Sequence, residues 1–150
     1  MILALLFGLV SLGFFSVESE LLYLLIVMGV GALPDIDHHK SKLGRKVKPI
    51  SWLLNTLLGH RGIIHSVFPI LIAYIAFSYY GYSWIGVAFA VGYFSHLVGD
   101  AFTKSGVAFL YPLSSKRIKG FIRTGGVLEE LLFFVFVLLS SWQIYRLLVI

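Results

Sequence analysis

Apolar stretches separated by short polar links alternate along the whole chain. They lie at 1–17, 21–33, 63–80, 84–101 and 126–145. A helix that crosses a membrane needs about 20 apolar residues, with a range of about 17–25, so the second stretch is short whereas the other four reach or approach the required length. The pattern predicts an all-α fold, a polytopic membrane helix bundle of about five spans that forms a single transmembrane domain over residues 1–150.

Whether a segment crosses the membrane has to be asked separately for the first two stretches and for one further short apolar segment. The first lacks the basic n-region and the small-x-small cleavage site of a signal peptide, so we expect it to be retained as a span. The second, 21–33, would cross only if the bilayer thins locally or if Pro34 and its acidic neighbours reach the headgroups. The sequence ISWLLNTLLG, 50–59, is shorter still and follows a basic loop, which predicts a short interfacial or re-entrant helix.

The composition supports a membrane environment. Hydrophobic residues make up 59% of the chain, charged residues 13%, and the mean hydropathy is +0.93. A soluble domain averages about 45–50% apolar and about 25% charged residues, so lipid is needed to cover the excess apolar surface. Cysteine is absent, which excludes a disulfide framework and a thiolate metal site, and leaves His and carboxylates as the ligands for any metal.

The basic residues predict the orientation. The loop 34–62 carries six of the twelve Lys and Arg residues, the loop 101–125 carries five, and Arg146 is the remaining one. Two apolar stretches separate the loops, so both loops are expected on one membrane face, and the positive-inside rule makes that face cytoplasmic. We therefore expect a multi-pass protein of the cell inner (cytoplasmic) membrane, with its N-terminus inside and its C-terminus outside.

The histidines and most of the acids fall at the same predicted depth. All five His and five of the seven acids lie at or near the cytoplasmic ends of the apolar stretches, whereas Glu18 and Glu20 lie on the other side. Ionisable groups inside a membrane domain are costly and are functional candidates by default. They form four clusters along the chain.

The first cluster, Asp35, Asp37, His38 and His39, directly follows Pro34. Proline disfavours helix at the residue before it, so the second stretch is expected to end there. Acids at a helix C-terminus face the negative end of the helix dipole, and a bound cation would reverse that penalty. The alternative is a solvated turn paired with neighbouring lysines, and His39 is expected to be solvated or accessory.

The second cluster contains His60 and His65, five positions apart with Gly62 between them. On one regular helix the two side chains would point about 140° apart, but a break at Gly62 would bring both to one site. Arg61 is a fixed cation suited to a phosphate or carboxylate oxygen. The alternative is a pair of histidines at the level of the headgroups.

The third cluster pairs His96 with Asp100, four positions apart and therefore on one helix face. This spacing allows an imidazole and a carboxylate to share a metal, and it equally allows a plain His–Asp hydrogen bond. An unpaired Asp100 within an apolar span would be expensive, so it needs some partner.

The fourth cluster lies where the last stretch begins. Thr124 can cap the last helix, and Glu129 and Glu130 fall in its first turn, where the dipole favours acids. Capping and the helix dipole are enough to explain why these residues lie here. Glu129 is in addition a candidate ligand or general base.

Together the clusters suit a metal centre. His and Asp without Cys are typical ligands of Zn²⁺, Mn²⁺ or iron. Three or more His and three Asp are too many for one tetrahedral ion and indicate two. A two-metal site activates water and clamps the oxygens of a transferred phosphoryl group.

Four sequence pieces in the same order resemble the YdjM family, described as candidate metal-dependent hydrolases of the inner membrane, some of them under control of the LexA repressor. The pieces cover roughly residues 28–130 and read LPDIDHHKSKLGR, HRGIIHS, GYFSHLVGDAFTKSGVAFLYPLS and RTGGVLEE. The family usually has Thr where this chain has Ile64, which puts any hydrogen bond from that side chain in doubt. The resemblance implies a divalent metal cofactor, most simply two Zn²⁺ ions with Mn²⁺ or iron as alternatives, and six metal ligands: Asp35, Asp37, His60, His65, His96 and Asp100.

A second, distant resemblance rests on the HxxxD element formed by His96 and Asp100. It is similar to an element of the zinc-dependent phospholipase C and P1 nuclease group, whose members cleave phosphoesters with clustered zinc ions.

The expected function is a membrane-embedded hydrolase that cleaves a lipid-linked or small phosphoester at the cytoplasmic leaflet by metal-activated water. Arg61 and Glu129 are the candidate catalytic residues, and His38 and Arg123 the candidate substrate contacts. We expect membrane lipids as partners, drawn to the basic loops, with the segment 105–114 as an interfacial lip, and no nucleic acid.

Two alternatives stay open at this point. A non-enzymatic metal- or lipid-binding membrane protein would use the same ligands but keep no open coordination position. A metal transporter is disfavoured because the ligands cluster at one face, whereas transporter sites usually lie near the midplane.

Overall fold

The computed structural model describes residues 1–37 and 62–149, and within these residues every regular element is helical. Five α-helices follow one another in these two described parts of the chain. They are α1 (Ile2–Ser11), α2 (Glu20–Val30), α3 (Phe68–Tyr79), α4 (Ser83–Phe102) and α5 (Val127–Val149). Short 3₁₀ turns form at Leu33–Asp37 and Ile63–His65. The predicted all-α class is confirmed for the described residues, in which β structure is limited to two isolated bridges.

Successive helices run in alternating directions. Ser11 at the end of α1 meets Tyr23 near the start of α2, with 2.8 Å between the two hydroxyl oxygens. A three-residue turn reverses the chain between α3 and α4. Helix α5 runs parallel to α1, because Phe133 near its start faces Leu3 and Gln143 near its end faces Val10.

This alternation collects the connecting segments at two ends of the bundle. One end, called the site end below, contains the segments 31–37, 62–67 and 103–126. The other end, called the far end, contains 12–19 and 80–82. At the site end the Val67 amide donates to the Phe109 carbonyl at 2.9 Å, and at the far end Leu12, Val17 and Trp84 pack on one core cluster.

Two of the described helices, α4 and α5, are long and apolar enough to cross a membrane. Their bounds agree closely with the predicted stretches 84–101 and 126–145. The other three have 10, 11 and 12 residues, or about 15–18 Å at about 1.5 Å per residue. A bilayer core is about 30 Å thick, so the predicted count of five spans is not confirmed.

The helix ends differ from the prediction in the first half of the chain. The predicted stretch 21–33 forms a helix only as far as Val30, and the chain then turns at Gly31 before the 3₁₀ turn that contains the buried Pro34. The first stretch, 1–17, is helical only to Ser11. The predicted interfacial helix 50–59 lies outside the described residues.

Helix α4 is the centre of the bundle, in contact with α1, α2 and α3. Its Gly92 lies directly against α2: a methyl group added there would come within 2.3 Å of the Val27 carbonyl oxygen. Gly31 packs equally closely on α1, 2.8 Å from the Ala4 methyl group by the same measure. These glycines let α2 and α4 touch backbone to backbone, which brings Gly31 beside the side chains of α4.

Helix α5 packs on α1 and leaves most of its surface uncovered. Ser140 is its one buried residue, whereas large apolar side chains such as Phe134, Leu138 and Trp142 are exposed. A helix that is apolar on all sides is typical of a lipid environment. The composition and this surface therefore agree on a membrane protein.

Candidate metal centre

The His96 and Asp100 side chains lie on one face of α4, in its last two turns. The Nε2 atom of His96 and the Oδ2 atom of Asp100 are 3.6 Å apart. That distance is too long for a hydrogen bond between them. The structure therefore does not contain the alternative that the sequence left open, a hydrogen bond between His96 and Asp100 within the helix.

His65 reaches the same carboxylate from a different part of the chain. Its Nε2 atom lies 3.6 Å from Asp100 Oδ2, and its ring centroid lies 5.5 Å from that of His96. The side chain is buried, 6% exposed. Two segments 31 residues apart in sequence thus place their imidazoles around one acid, as the prediction for His65, His96 and Asp100 required.

The turn that carries His65 is fixed by hydrogen bonds. The His65 amide donates to the Gly62 carbonyl at 3.0 Å, and the Ser66 hydroxyl donates to the Ile63 carbonyl at 2.6 Å. The Tyr93 hydroxyl of α4 donates to the Ile64 carbonyl. Because residue 64 contributes its backbone here, this bond does not depend on whether the side chain is Ile or Thr.

The two nitrogens of the His96 ring have different environments. Nδ1 lies 2.9 Å from the Gly31 carbonyl oxygen, which can only accept, so Nδ1 carries the proton. In a neutral ring Nε2 is then the nitrogen that can bind a metal. It is buried and makes no hydrogen bond to the described residues, although it faces the carboxylate of Asp100.

These atoms fit a divalent metal ion. One ligand atom from each of His65, His96 and Asp100 can be chosen so that all three lie within 4.8 Å of one another. Two ligands held at about 2.1 Å by a tetrahedral ion lie about 3.4 Å apart, close to the 3.6 Å from each imidazole to the carboxylate. Metal-binding histidines usually donate the N–H of their other ring nitrogen to a carboxylate or a backbone carbonyl, and His96 Nδ1 has such a partner in the Gly31 carbonyl.

Asp35 lies at the edge of this cluster. Its Oδ1 atom is 4.0 Å from His96 Nε2, and its side chain is 51% exposed. The 3₁₀ turn after α2 therefore carries a carboxylate that faces both the cluster and the solvent. A small movement would bring it to a shared ion, and without that movement water has access to the position.

The other predicted ligands are not tested by the structure. Asp37 is described only as the end of the 3₁₀ turn. His38, His39, His60 and Arg61 lie outside the described residues. The described part of the chain therefore brings together a cluster that could hold one ion, and both the bound metal and the second ion stay predictions.

Glu129 has a structural role that the sequence suggested. Its Oε2 atom accepts a hydrogen bond of 2.6 Å from the Gly125 amide, so the carboxylate ties down the turn before α5, where Gly125 has a φ of +78°. Arg123, the predicted substrate contact, is exposed in the same turn. Their predicted catalytic and substrate-binding roles stay predictions.

The sequence reasoning missed the groups that orient the ligands. The Gly31 carbonyl has no side-chain signature, and Gly92 does not differ in sequence from any other glycine in an apolar helix. Tyr93 could have been noticed, because it lies three positions before His96 and therefore on the same side of the helix.

The chain is similar to proteins of bacterial inner membranes. The family model described as "YdjM inner membrane protein" matches residues 1–149. The protein YvsG of Bacillus subtilis, whose function is uncharacterized, is 35% identical over 121 residues, which are 79% of this chain and 76% of YvsG. The inner membrane protein YdjM of Escherichia coli is 40% identical over 87 residues, 53% of this chain but 44% of that protein.

The match to YdjM thus spans less than half of that relative. The inner membrane protein YdjM of Shigella flexneri matches to the same extent. No solved structure shows significant similarity to the chain. The resemblance to phospholipase C and P1 nuclease finds no support in these comparisons.

Proposed function

Because the chain belongs to the YdjM family of inner membrane proteins, we propose that it is a membrane-embedded, metal-dependent hydrolase. The proposed substrate is a lipid-linked phosphoester at the cytoplasmic leaflet. The observation that carries the proposal is the meeting of His65, His96 and Asp100 around one point, where the buried Nε2 atom of His96 lies 3.6 Å from the Asp100 carboxylate.

Solvent access beside the cluster favours catalysis over a purely structural metal. Structural zinc sites are closed, whereas catalytic sites keep one position for water or substrate. Asp35 lies 4.0 Å from His96 Nε2 and is 51% exposed, so water reaches the edge of the cluster. This arrangement supports a hydrolase more than the alternative of a non-enzymatic metal-binding protein.

Each residue of the cluster has a separate task in the proposed reaction. His65, His96 and Asp100 would hold the ion, and the Gly31 carbonyl would keep Nε2 of His96 available to it by accepting a hydrogen bond from Nδ1. The ion would lower the pKa of a bound water and would act as a Lewis acid on the phosphoryl oxygen. Asp35 is placed to accept a proton from the attacking water, and the exposed Arg123 can approach the phosphate from the solvent side.

We also propose that all five helices cross the membrane, with the site end in the cytoplasm. The described basic residues at the site end are Lys104, Lys116, Arg117, Lys119 and Arg123. At the far end, Glu18 lies just before α2 and Glu20 lies in its first turn, while Arg146 lies in the last turn of α5. This distribution follows the positive-inside rule.

Metal analysis of the protein purified in detergent tests the proposal. We expect bound zinc, manganese or iron in the wild type, and loss of both metal and phosphoester hydrolysis in His96→Ala and Asp100→Asn. Glu20→Gln, an exposed acid at the far end, is the matched control and should keep both.

Two results would contradict the proposal in different ways. Full metal content and turnover in His96→Ala would show that the site is elsewhere. Metal-loaded wild-type protein that hydrolyses no phosphoester, ester or amide would leave the metal site in place but support the non-enzymatic alternative.

A further inference from the structure

The segment 103–126, called the basic segment below, connects α4 to α5 at the site end. It contains five Lys and Arg residues and no Asp or Glu. All five are exposed, and they are Lys104, Lys116, Arg117, Lys119 and Arg123. A run of cations without acids favours an anionic partner.

The basic segment is folded rather than extended. Val107 and Ile118 exchange two backbone hydrogen bonds of 2.9 and 3.0 Å, and the Ile122 amide donates to the Phe102 carbonyl at 3.0 Å. Gly106 adopts a φ of +65°, and at Gly120 an added methyl group would lie 2.1 Å from the Phe102 carbonyl oxygen. These contacts therefore fix the backbone from which the exposed side chains project.

The inner and outer surfaces of the basic segment differ. Val107, Ala108 and Ile122 are buried against the bundle. The outward side carries large apolar groups between the cations, with Leu113 80% and Phe121 70% exposed. Apolar side chains that project among Lys and Arg are typical of surfaces that lie in the interface of a membrane.

The position of the basic segment places this surface at a bilayer. It begins where α4 ends and finishes where α5 begins, and these are the two described helices long and apolar enough to cross. The residues between two such helices lie at the headgroup level when the helices cross side by side.

We infer that the basic segment binds the headgroups of anionic phospholipids, with Leu113 and Phe121 inserted among the acyl chains. The positive charge of the segment complements the phosphates, and the apolar side chains are removed from water. Neither contribution requires the metal centre, so the inference does not rest on the proposed function.

The basic segment is also connected to the candidate metal centre. The Thr103 hydroxyl donates to the Asp100 carbonyl at 2.8 Å, and the Phe109 carbonyl accepts from the Val67 amide, two residues after His65. A phospholipid held by this segment would therefore lie beside the site end of α4, next to two of the proposed ligands.

The absence of cysteine allows one specific probe to be introduced. Ser115→Cys, exposed in the basic segment, can carry an environment-sensitive nitrobenzoxadiazole label on the full chain in neutral detergent. We expect phosphatidylglycerol to shift the label emission to the blue at concentrations at which phosphatidylcholine does not. Adding Lys116→Glu and Arg117→Glu to the labelled protein should raise the phosphatidylglycerol concentration that gives half of the blue shift by about tenfold or more. Adding Arg146→Glu at the far end instead should leave that concentration unchanged.

The apolar part is tested by Leu113→Ser, which should weaken the shift without changing the preference for the anionic lipid. Equal responses to both lipids, or an unchanged response in the Lys116→Glu, Arg117→Glu protein, would overturn the inference. The same blue shift with inorganic phosphate would show a site for free anions, and a shift that depends on protein concentration alone would show contact between copies. Either result would also overturn it.

Discussion

At the scale of single residues, His96 shows how the bundle prepares a ligand. One ring nitrogen is bound to the Gly31 carbonyl, and the other is buried without a hydrogen bond among the described residues. A backbone carbonyl does not titrate and can be displaced only by moving the helix that carries it. The tautomer of His96 is therefore set by helix packing.

The two acids of the site should differ in their importance for metal binding. Asp100 faces both imidazoles at 3.6 Å, whereas Asp35 is half exposed and 4.0 Å from one of them. We expect Asp100→Asn to lower metal affinity by more than about 100-fold, and Asp35→Asn by less than about tenfold because water can replace it. Titration against a competing chelator measures both, and a larger loss for Asp35→Asn would contradict the assignment.

Tyr93 should act on the metal through the backbone of the turn that carries His65. Tyr93→Phe removes the hydrogen bond to the Ile64 carbonyl, which should let the turn move and lower metal affinity by about tenfold. Tyr23→Phe is the control, since it removes a buried hydroxyl bonded to Ser11 at a similar cost of about 1 kcal/mol in stability. If both variants bind metal alike, Tyr93 has no positioning role.

The site was predictable from sequence only where side chains define it. His96 and Asp100 follow from their spacing on one helix, and His65 from its residue type at the same depth. The distances and the Gly31 carbonyl depend on how closely two helices approach, which no local pattern encodes.

At the scale of helices, the contact between α2 and α4 determines the geometry of the site. Gly92 leaves no room for a side chain against Val27, one turn of helix before His96. The close approach that it permits places the C-terminal end of α2, and with it Gly31, beside the imidazole.

Gly92→Ala should therefore impair metal binding from a distance. The added methyl group would lie 2.3 Å from the Val27 carbonyl oxygen, so α2 must move, at a cost of about 1–3 kcal/mol typical of overpacking. We expect metal affinity to fall by about tenfold or more, and the nitrogen NMR signals of His96 to show a mixture of tautomers. Gly99→Ala on the same helix meets only a Leu3 methyl at 3.6 Å and should change neither, and unaltered tautomer signals in Gly92→Ala would exclude the proposed link.

The helices themselves were predicted with unequal success for a physical reason. The long α4 and α5 coincide with apolar stretches because their whole length is apolar. The stretches 1–17 and 21–33 remain apolar beyond the last helical residue, so hydropathy alone does not show that the chain turns at Ser11 and Gly31. Hydropathy reports the environment of a segment, whereas its hydrogen bonds decide where a helix ends.

At the scale of the whole molecule, five of the six described Lys and Arg residues lie at one end of the bundle. The site end carries the basic segment and the candidate ligands, and the far end has Glu18 before α2 and Glu20 as its first residue. These two acids are exposed, and exposed carboxylates are expensive in hydrocarbon. The far end must therefore reach water or headgroups, even though α1 and α2 are shorter than a typical span.

Labelling of single cysteines distinguishes a five-span bundle from one in which only α4 and α5 cross. Exposed positions are available at both ends: Ser16 and Ser83 at the far end, and Ser115 at the site end. With all helices crossing, an impermeant maleimide added to intact spheroplasts should label Ser16→Cys and Ser83→Cys, and Ser115→Cys only after permeabilisation. If α1 and α2 formed a hairpin on the cytoplasmic side, Ser16→Cys would be protected together with Ser115→Cys while Ser83→Cys reacted. The acids Glu18 and Glu20 near Ser16 argue for the first result, because their hydration requires the α1–α2 turn to emerge from the bilayer on the side opposite the candidate metal centre.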